Sequence, residues 1–386
     1  MTLEGDEGEE AREIALVMID KSGYFDLINS EQDPRVAYIG GSVYPNLPPR
    51  ARDFASNLHY LFRSSVVLHE DAGDAEREVL SRWSSHCLDV ATAYALGGPE
   101  GSPPAPPWLV DCDAALKNTL RERYPDVDEV SVSCSFERRL HAWSIPADKK
   151  IRISAVTREY LRTLNLIFWN AIQATAFGER AEFDYRGGWD AIRESRDRIG
   201  DAMLPYLASP YRRLDLSLFP VWRAASVDAY SMAVRWTMVQ LTFMLAHEYA
   251  HILLHAGHVA GNRDLEKEAD YFAYRVIASD SFPGKSNLVV DWPSIDWYFR
   301  MLAMQSSIGR LLNDCSADWQ QDVIRRRGLE IHSMANFLGV RRGVLALDSL
   351  VSVTHVAALQ HFVRDLGEDG VRGRVGDFLA SRTKGG

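Results

Sequence analysis

The chain has 386 residues, 46% of them hydrophobic and 25% charged, which is enough for one large or two ordinary domains around a real core. A net charge of -10 and a pI near 5.6 argue against nucleic-acid binding as the main activity, because phosphate contacts need a basic surface. Cys87, Cys112, Cys134 and Cys315 show no C-x-x-C spacing, so free thiols in a reducing, cytoplasmic setting are expected rather than a disulfide framework.

Residues 1–12 are acidic and polar; a disordered tail is expected there, with no apolar core of a secretion signal. Residues 13–127 form a mostly helical N-terminal region. It opens on short strands at 14–19 and 36–43, followed by helices at 51–67 and 75–96 that carry apolar residues at three-and-four spacing. Gly97 and Gly98 end the second helix before a proline-rich loop, and a short helix follows at 113–124.

The period then changes from helical to alternating. Residues 130–136, 141–145 and 150–153 read as strands, the last two joined across Pro146, Ala147 and Asp148, and together they predict a small antiparallel sheet. Ser154 opens a long helix whose buried stripe is Leu161, Leu164, Ile167, Phe168, Ala171 and Ile172. A charged helical stretch covers 189–207, with breaks at Pro205, Pro210 and Pro220. Residues 227–254 are apolar nearly all round, which predicts a buried central helix; Asp228, Arg235 and the histidines make it a poor membrane span. After residue 280 a helical C-terminal region is expected, with helices at 295–312, 317–327 and 345–366 and a fraying end rich in Gly and Arg.

The central helix holds His247, Glu248 and His251 as H-E-x-x-H. Residues four apart share one helix face, so two imidazoles can meet one metal ion with Glu248 beside it. Inside an apolar helix these groups are costly unless something pairs them. The alternative is a pair of satisfied core histidines. A zinc ion needs a third protein ligand, and the H-E-x-x-H-x-x-G-x-x-H scheme fails because Leu254 and Gly257 stand where Gly and His are required. His255 and His258 read better as polar residues at a helix end.

Glu266 and Asp270 lie further on in the pattern E-x-x-A-D. Asp264 can cap a helix from Leu265, on which Glu266, Asp270, Ala273 and Ile277 share a face. Helical phase thus predicts Glu266 as the third metal ligand, with Asp270 orienting a ligand histidine from behind. Glu268 projects about 200° away and reads as a solvated residue.

H-E-x-x-H followed by E-x-x-A-D resembles the gluzincin-type peptidases, which include the CAAX prenyl proteases, the HtpX heat-shock proteases, soluble minigluzincins and the ImmA/IrrE type. The membrane-bound members carry an upstream N-A-F-A-L-P-G segment leading into a strand and a helix. Here His141, Ala142, Trp143, Ser144, Ile145 and Pro146 run into Ile151, Arg152, Ile153 and Ser154 in the same order. His141 replaces the asparagine, and Ala147 and Asp148 replace the glycine pair. The gap from His251 to Glu266 is too short for the membrane hairpin of the membrane-bound members. Lit-type phage-exclusion peptidases share H-E-x-x-H but align no further.

The resemblance covers residues 130–277. It implies an α+β, mainly α fold: a zincin-like core at 128–280, made of a small sheet, the active-site helix and the glutamate helix, with helical regions on both sides. It also implies that residues 141–145 are the edge strand to which an extended protein or peptide substrate adds. Zn2+, one per chain, would carry an open position for water whose pKa falls to ~7, with Glu248 as the general base of a metallopeptidase. Tyr271, His332 and His355 are unranked candidates for stabilising the oxyanion. Two rival readings remain. One is a non-heme Fe(II) oxygenase using His247, His251 and a carboxylate. The other is a catalytically quiet, metal-stabilised protein that works through a regulatory partner.

Overall fold

The computed structural model describes residues 27–29, 36–39, 57, 60, 105–135, 142–176, 192–212, 214, 216, 219–255, 263–279, 288–312 and 341–383. The expected tail, the strand at 14–19, nearly all of the helices at 51–67 and 75–96, the helix at 317–327, and His141, His258 and His332 lie outside them. The protein is mostly helical with small sheets, an α+β architecture that is mainly α.

Two three-stranded sheets are present among the described residues. In the first, β1 (Leu27–Asn29), β2 (Val36–Ile39) and β6 (Val221–Trp222) lie in the order β1-β2-β6, all antiparallel. The second holds β3 (Ser131–Ser135), β4 (Ala142–Ile145) and β5 (Lys150–Ser154), in the order β3-β5-β4. β4 pairs with β5 antiparallel, as expected, but β3 pairs with β5 in parallel, so the sheet is mixed rather than antiparallel. The reason lies in burial. Ile151 and Ile153 of β5 are fully buried, whereas no residue of β4 is, so the strand that can be covered takes the centre and β4 is left at the edge. The turn between them closes through Lys149 in the left-handed region, at φ 48°.

Helix α1 (Pro107–Leu120) precedes β3 and begins earlier than its sequence pattern predicts, because Pro107 is well suited to a first helical position. α2 (Thr157–Ala176) follows β5. α3 (Arg196–Ala208) continues through Pro205 into its last turn. β6 then leads into α4 (Val227–Leu253), the central helix, whose N-terminus is capped where Ser226 Oγ accepts the Ala229 N–H at 3.1 Å.

α4 packs against α1, α2, β4, α5 (Arg263–Ile277) and α6 (Leu288–Leu311). Its outward helical phases differ little in polarity, so it buries residues all round, among them Trp236, Leu241, Phe243, Leu245 and Tyr249. Phe168 of α2 stacks on Trp236 at 5.0 Å and meets Trp297 of α6 at 4.9 Å. A buried polar link fixes the register of the same three helices. Asn165 Nδ2 donates to Gln240 Oε1 at 2.9 Å, and Gln240 Nε2 donates to the Ser294 carbonyl at 2.8 Å. Arg235 of α4 also grips the buried Asp291 of α6 with two bonds of 2.6 and 2.8 Å.

α7 (Arg341–Gln360) runs into a π-helical segment, His361–Leu366, and then into α8 (Gly367–Thr383). The glycine-rich end expected to fray is thus helical. Val371 and Val375 are buried, and Phe378 meets Phe219 edge-on at 5.5 Å, so packing outweighs the low helix propensity of Gly. Among the described residues no helix is long and apolar enough to cross a membrane.

An acid pair lies between α6 and α7. Asp348 bonds to Asp296, which is in turn held by Arg300, and burial followed by the Asp296 charge pushes Asp348 up to about 7. The fold therefore keeps a proton that the unfolded chain has lost between about pH 4 and pH 7, and stability from this pair falls as pH rises through that window. Asp348→Asn keeps the shape and the bond without a titrating proton. Thermal unfolding from pH 4.5 to 8, run as a difference between wild type and variant, is expected to show the variant gaining relative stability with pH, by a few degrees at the top. Parallel curves would contradict the assignment.

Candidate metal centre

α4 presents His247, Glu248 and His251 in its last two turns, and α5 crosses beside it with Glu266 and Asp270 one turn apart. α5 starts at Arg263, not at Leu265, but its phase is the expected one: Ala269, Ala273 and Ile277 are buried on the face that carries Asp270. Phe272 and Val276 beside that face anchor α5 to the core, and the helix alignment sets where Glu266 points.

His247 Nε2 and His251 Nε2 lie 3.1 Å apart, and the Glu266 carboxylate oxygens are 3.3 Å from the first and 3.5 Å from the second. These three residues form a group that can hold a metal ion. A tetrahedral ion with ligand bonds of about 2.0–2.1 Å separates its ligand atoms by roughly 3.3–3.4 Å. The donors match that spacing, so the residues fit the ion.

The outer nitrogens of the two imidazoles are both engaged. His247 Nδ1 is 2.8 Å from Asp270 Oδ1, a close ion-pair contact without the alignment of a hydrogen bond. The carboxylate beside Nδ1 favours a proton on that nitrogen, which leaves the lone pair on Nε2, facing inward. His251 is set differently. Its Nδ1 lies 3.1 Å from His255 Nδ1, and His255 Nε2 lies 3.2 Å from Glu268 Oε2. With Nε2–H of His255 given to Glu268, its Nδ1 accepts from His251, and the His251 lone pair also ends on Nε2. Sequence reasoning took His255 for a helix cap and Glu268 for a solvated residue. His255 is buried, and Glu268 is 61% exposed yet reaches it. The signal was the repeated four-residue spacing of His247, His251 and His255, which continues the same face just past the end of the helix.

Glu248 faces β4. Its carboxylate accepts from both the hydroxyl and the backbone N–H of Ser144, and it feels the charges of His247 and Glu266. Burial raises Glu248 above the usual carboxylate range, while His247 and Ser144 pull it back. The Ser144 N–H therefore points away from β5 and towards the centre. Ala142, Trp143, Ser144 and Ile145 form the edge strand β4 packed against α4.

Burial works against a charged His247, but Asp270, Glu266 and Glu248 outweigh it and raise the imidazole to about 10. Burial and the neighbouring His247 lower His251 to about 4. Two ring nitrogens 3.1 Å apart can share at most one proton, and a divalent cation is the group that would take its place.

Other candidates fall elsewhere. Tyr271 is 49% exposed on the outer side of α5. His355 accepts from Arg300 Nη1 at 3.2 Å, within the acid cluster between α6 and α7. Behind the centre, Tyr249 bonds to Asp113 and ties α4 to α1. A cleft of about 250 Å3 lined by Leu204, Leu214, Arg374 and Phe378 among others shares no residue with the centre. Comparison with family models, with curated proteins and with solved structures found no match.

Proposed function

We propose that the chain is a zinc-dependent metallopeptidase with a zincin-like core, in which His247, His251 and Glu266 hold the ion and Glu248 is the general base. The observation that carries this reading is the convergence of the two Nε2 atoms and the Glu266 carboxylate at 3.1 to 3.5 Å, with Glu248 on the adjoining strand-facing side. Two imidazoles and one carboxylate suit zinc and leave a position open; the bound ion supplies Lewis-acid activation of a water and of a peptide carbonyl.

The rest is done by the chain's own groups. Asp270 and the His255–Glu268 pair hold the ligand imidazoles in the tautomers that present Nε2. Ser144 holds the Glu248 carboxylate in place to take a proton and later return it to the leaving amine. β4, an edge strand on the same side, offers an extended peptide a row of backbone groups, so the substrate class is an unfolded or extended protein segment. An Fe(II) oxygenase would use the same three ligands but has no task for a base held beside them.

The experiment is a proteome-wide comparison of new protein termini in cells expressing the wild type and Glu248→Gln. Termini that depend on Glu248 are expected. Identical sets from the two would overturn the assignment as a peptidase.

A further inference from the structure

A second cluster of donors lies where the π-helical segment meets α3. His361 opens that segment, and its side chain is only 4% exposed. The ring is seated against Gly200 of α3 so closely that a Cβ there would lie 2.3 Å from His361 Cδ2. A side chain at 200 would expel the ring, so α3 is built to admit it.

The two ring nitrogens have different surroundings. Nε2 lies 3.0 Å from Asp201 Oδ1, a hydrogen bond that fixes the proton on Nε2. Nδ1 is buried with no hydrogen-bond partner. It faces Asp197, whose Oδ1 is 3.4 Å away, and the donor atoms of Asp197, His361 and Asp365 all lie within 4.8 Å of one another. A buried ring nitrogen facing carboxylates is satisfied either by a proton of its own or by a cation held between them. An imidazole with one nitrogen oriented by a carboxylate and the other directed at further carboxylates is a common arrangement of a metal-binding histidine.

The π-helical turn completes the cluster, since the wider turn brings His361 and Asp365 of one segment together at a spacing where an ion can reach both. Arg196 accompanies the acids: its Nη2 is 3.2 Å from Asp365 Oδ2 and its Nε 3.3 Å from Asp197 Oδ1. Arg374 lies 3.5 Å from Asp201 Oδ2. Arg196 is 42% exposed and free to swing into solvent, so it competes with an ion for the same two carboxylates.

We propose that Asp197, His361 and Asp365 form a second, structural site for a divalent transition metal. An imidazole with two carboxylates suits Zn2+ or Mn2+ better than Mg2+ or Ca2+, which prefer oxygen alone. The ion would clamp the start of α3 to the junction of α7 and α8, and so stabilise the packing of the C-terminal helix by binding only the folded chain. This site is independent of the proposed catalytic centre.

The test uses the full chain carrying His247→Ala and His251→Ala, so that the first centre does not contribute. Zn2+ and Mn2+ are the probes, in equilibrium dialysis and in thermal unfolding, with circular dichroism to check the fold. One equivalent of ion and a metal-dependent rise in Tm are expected. Adding Asp197→Asn and Asp365→Asn, both at exposed positions, should abolish both effects, and Arg196→Gln should tighten binding severalfold by removing the competing cation. Should the His247→Ala/His251→Ala chain fail to fold, the difference in ion count between wild type and Asp197→Asn/Asp365→Asn gives the same reading. No bound equivalent, an equivalent that survives loss of both aspartates, or pH-dependent stability with no response to metal would each overturn the proposal; the last would identify His361 as an imidazolium bridging the acids.

Discussion

A Glu248→Gln chain is expected to keep its fold and its zinc while losing cleavage by about 10²-fold or more, the scale of a removed general base. Gln preserves the shape of the side chain, and its carbonyl oxygen can still accept from the Ser144 hydroxyl and N–H that hold the carboxylate. It cannot take a proton from a metal-bound water. The readout is paired: metal content by emission analysis, and the rate at which wild-type termini appear. Retained turnover with full metal would remove Glu248 from the mechanism; lost metal would mean that Glu248 is itself needed to build the centre.

The second large effect separates Glu266, Glu268 and Asp270 of α5. Glu266→Ala removes a group 3.3 and 3.5 Å from the two ligand nitrogens and should lower zinc affinity most severely. Asp270→Ala leaves those donors in place but frees His247 to rotate, and an orienting carboxylate of this kind typically contributes ~10 to 100-fold in metal affinity or activity. Glu268→Ala acts through two histidines, and its carboxylate is 61% exposed, where solvent screens the contact with His255. Its effect is expected to be the smallest. Zinc titration of the metal-free variants against a competing chelator, after circular dichroism shows each folded, gives the order. If Glu268→Ala loses the ion while Glu266→Ala keeps it, the ligand set is wrong.

Much of this centre was legible because its information is local. The spacing of His247 and His251 is fixed by one helix, and the shared face of Glu266 and Asp270 by another, so periodicity alone gives the faces on which His247, His251 and Glu266 meet. What depends on contacts across the chain was not legible. The parallel pairing of β3 with β5 follows from which strand the core covers, and the contact of Ser144 with Glu248 from how β4 is laid on α4. Likewise the start of α6 at Leu288, ahead of Pro293, is hidden from a reading that treats proline as a breaker; the helix is held there by Arg235 on Asp291. The π-helical turn at His361 has no sequence period of its own, and the group it forms with Asp197 needs α3 to be packed against it.

The measurement that bears most directly on the account is the metal content of the chain purified without chelator, in an Asp197→Asn/Asp365→Asn background that silences the second site. The account predicts about one zinc per chain, lost when His251→Ala is added, because His247, His251 and Glu266 are proposed as the whole protein ligand set. A chain that carries no metal or mainly iron, or one whose zinc survives His251→Ala, would contradict it.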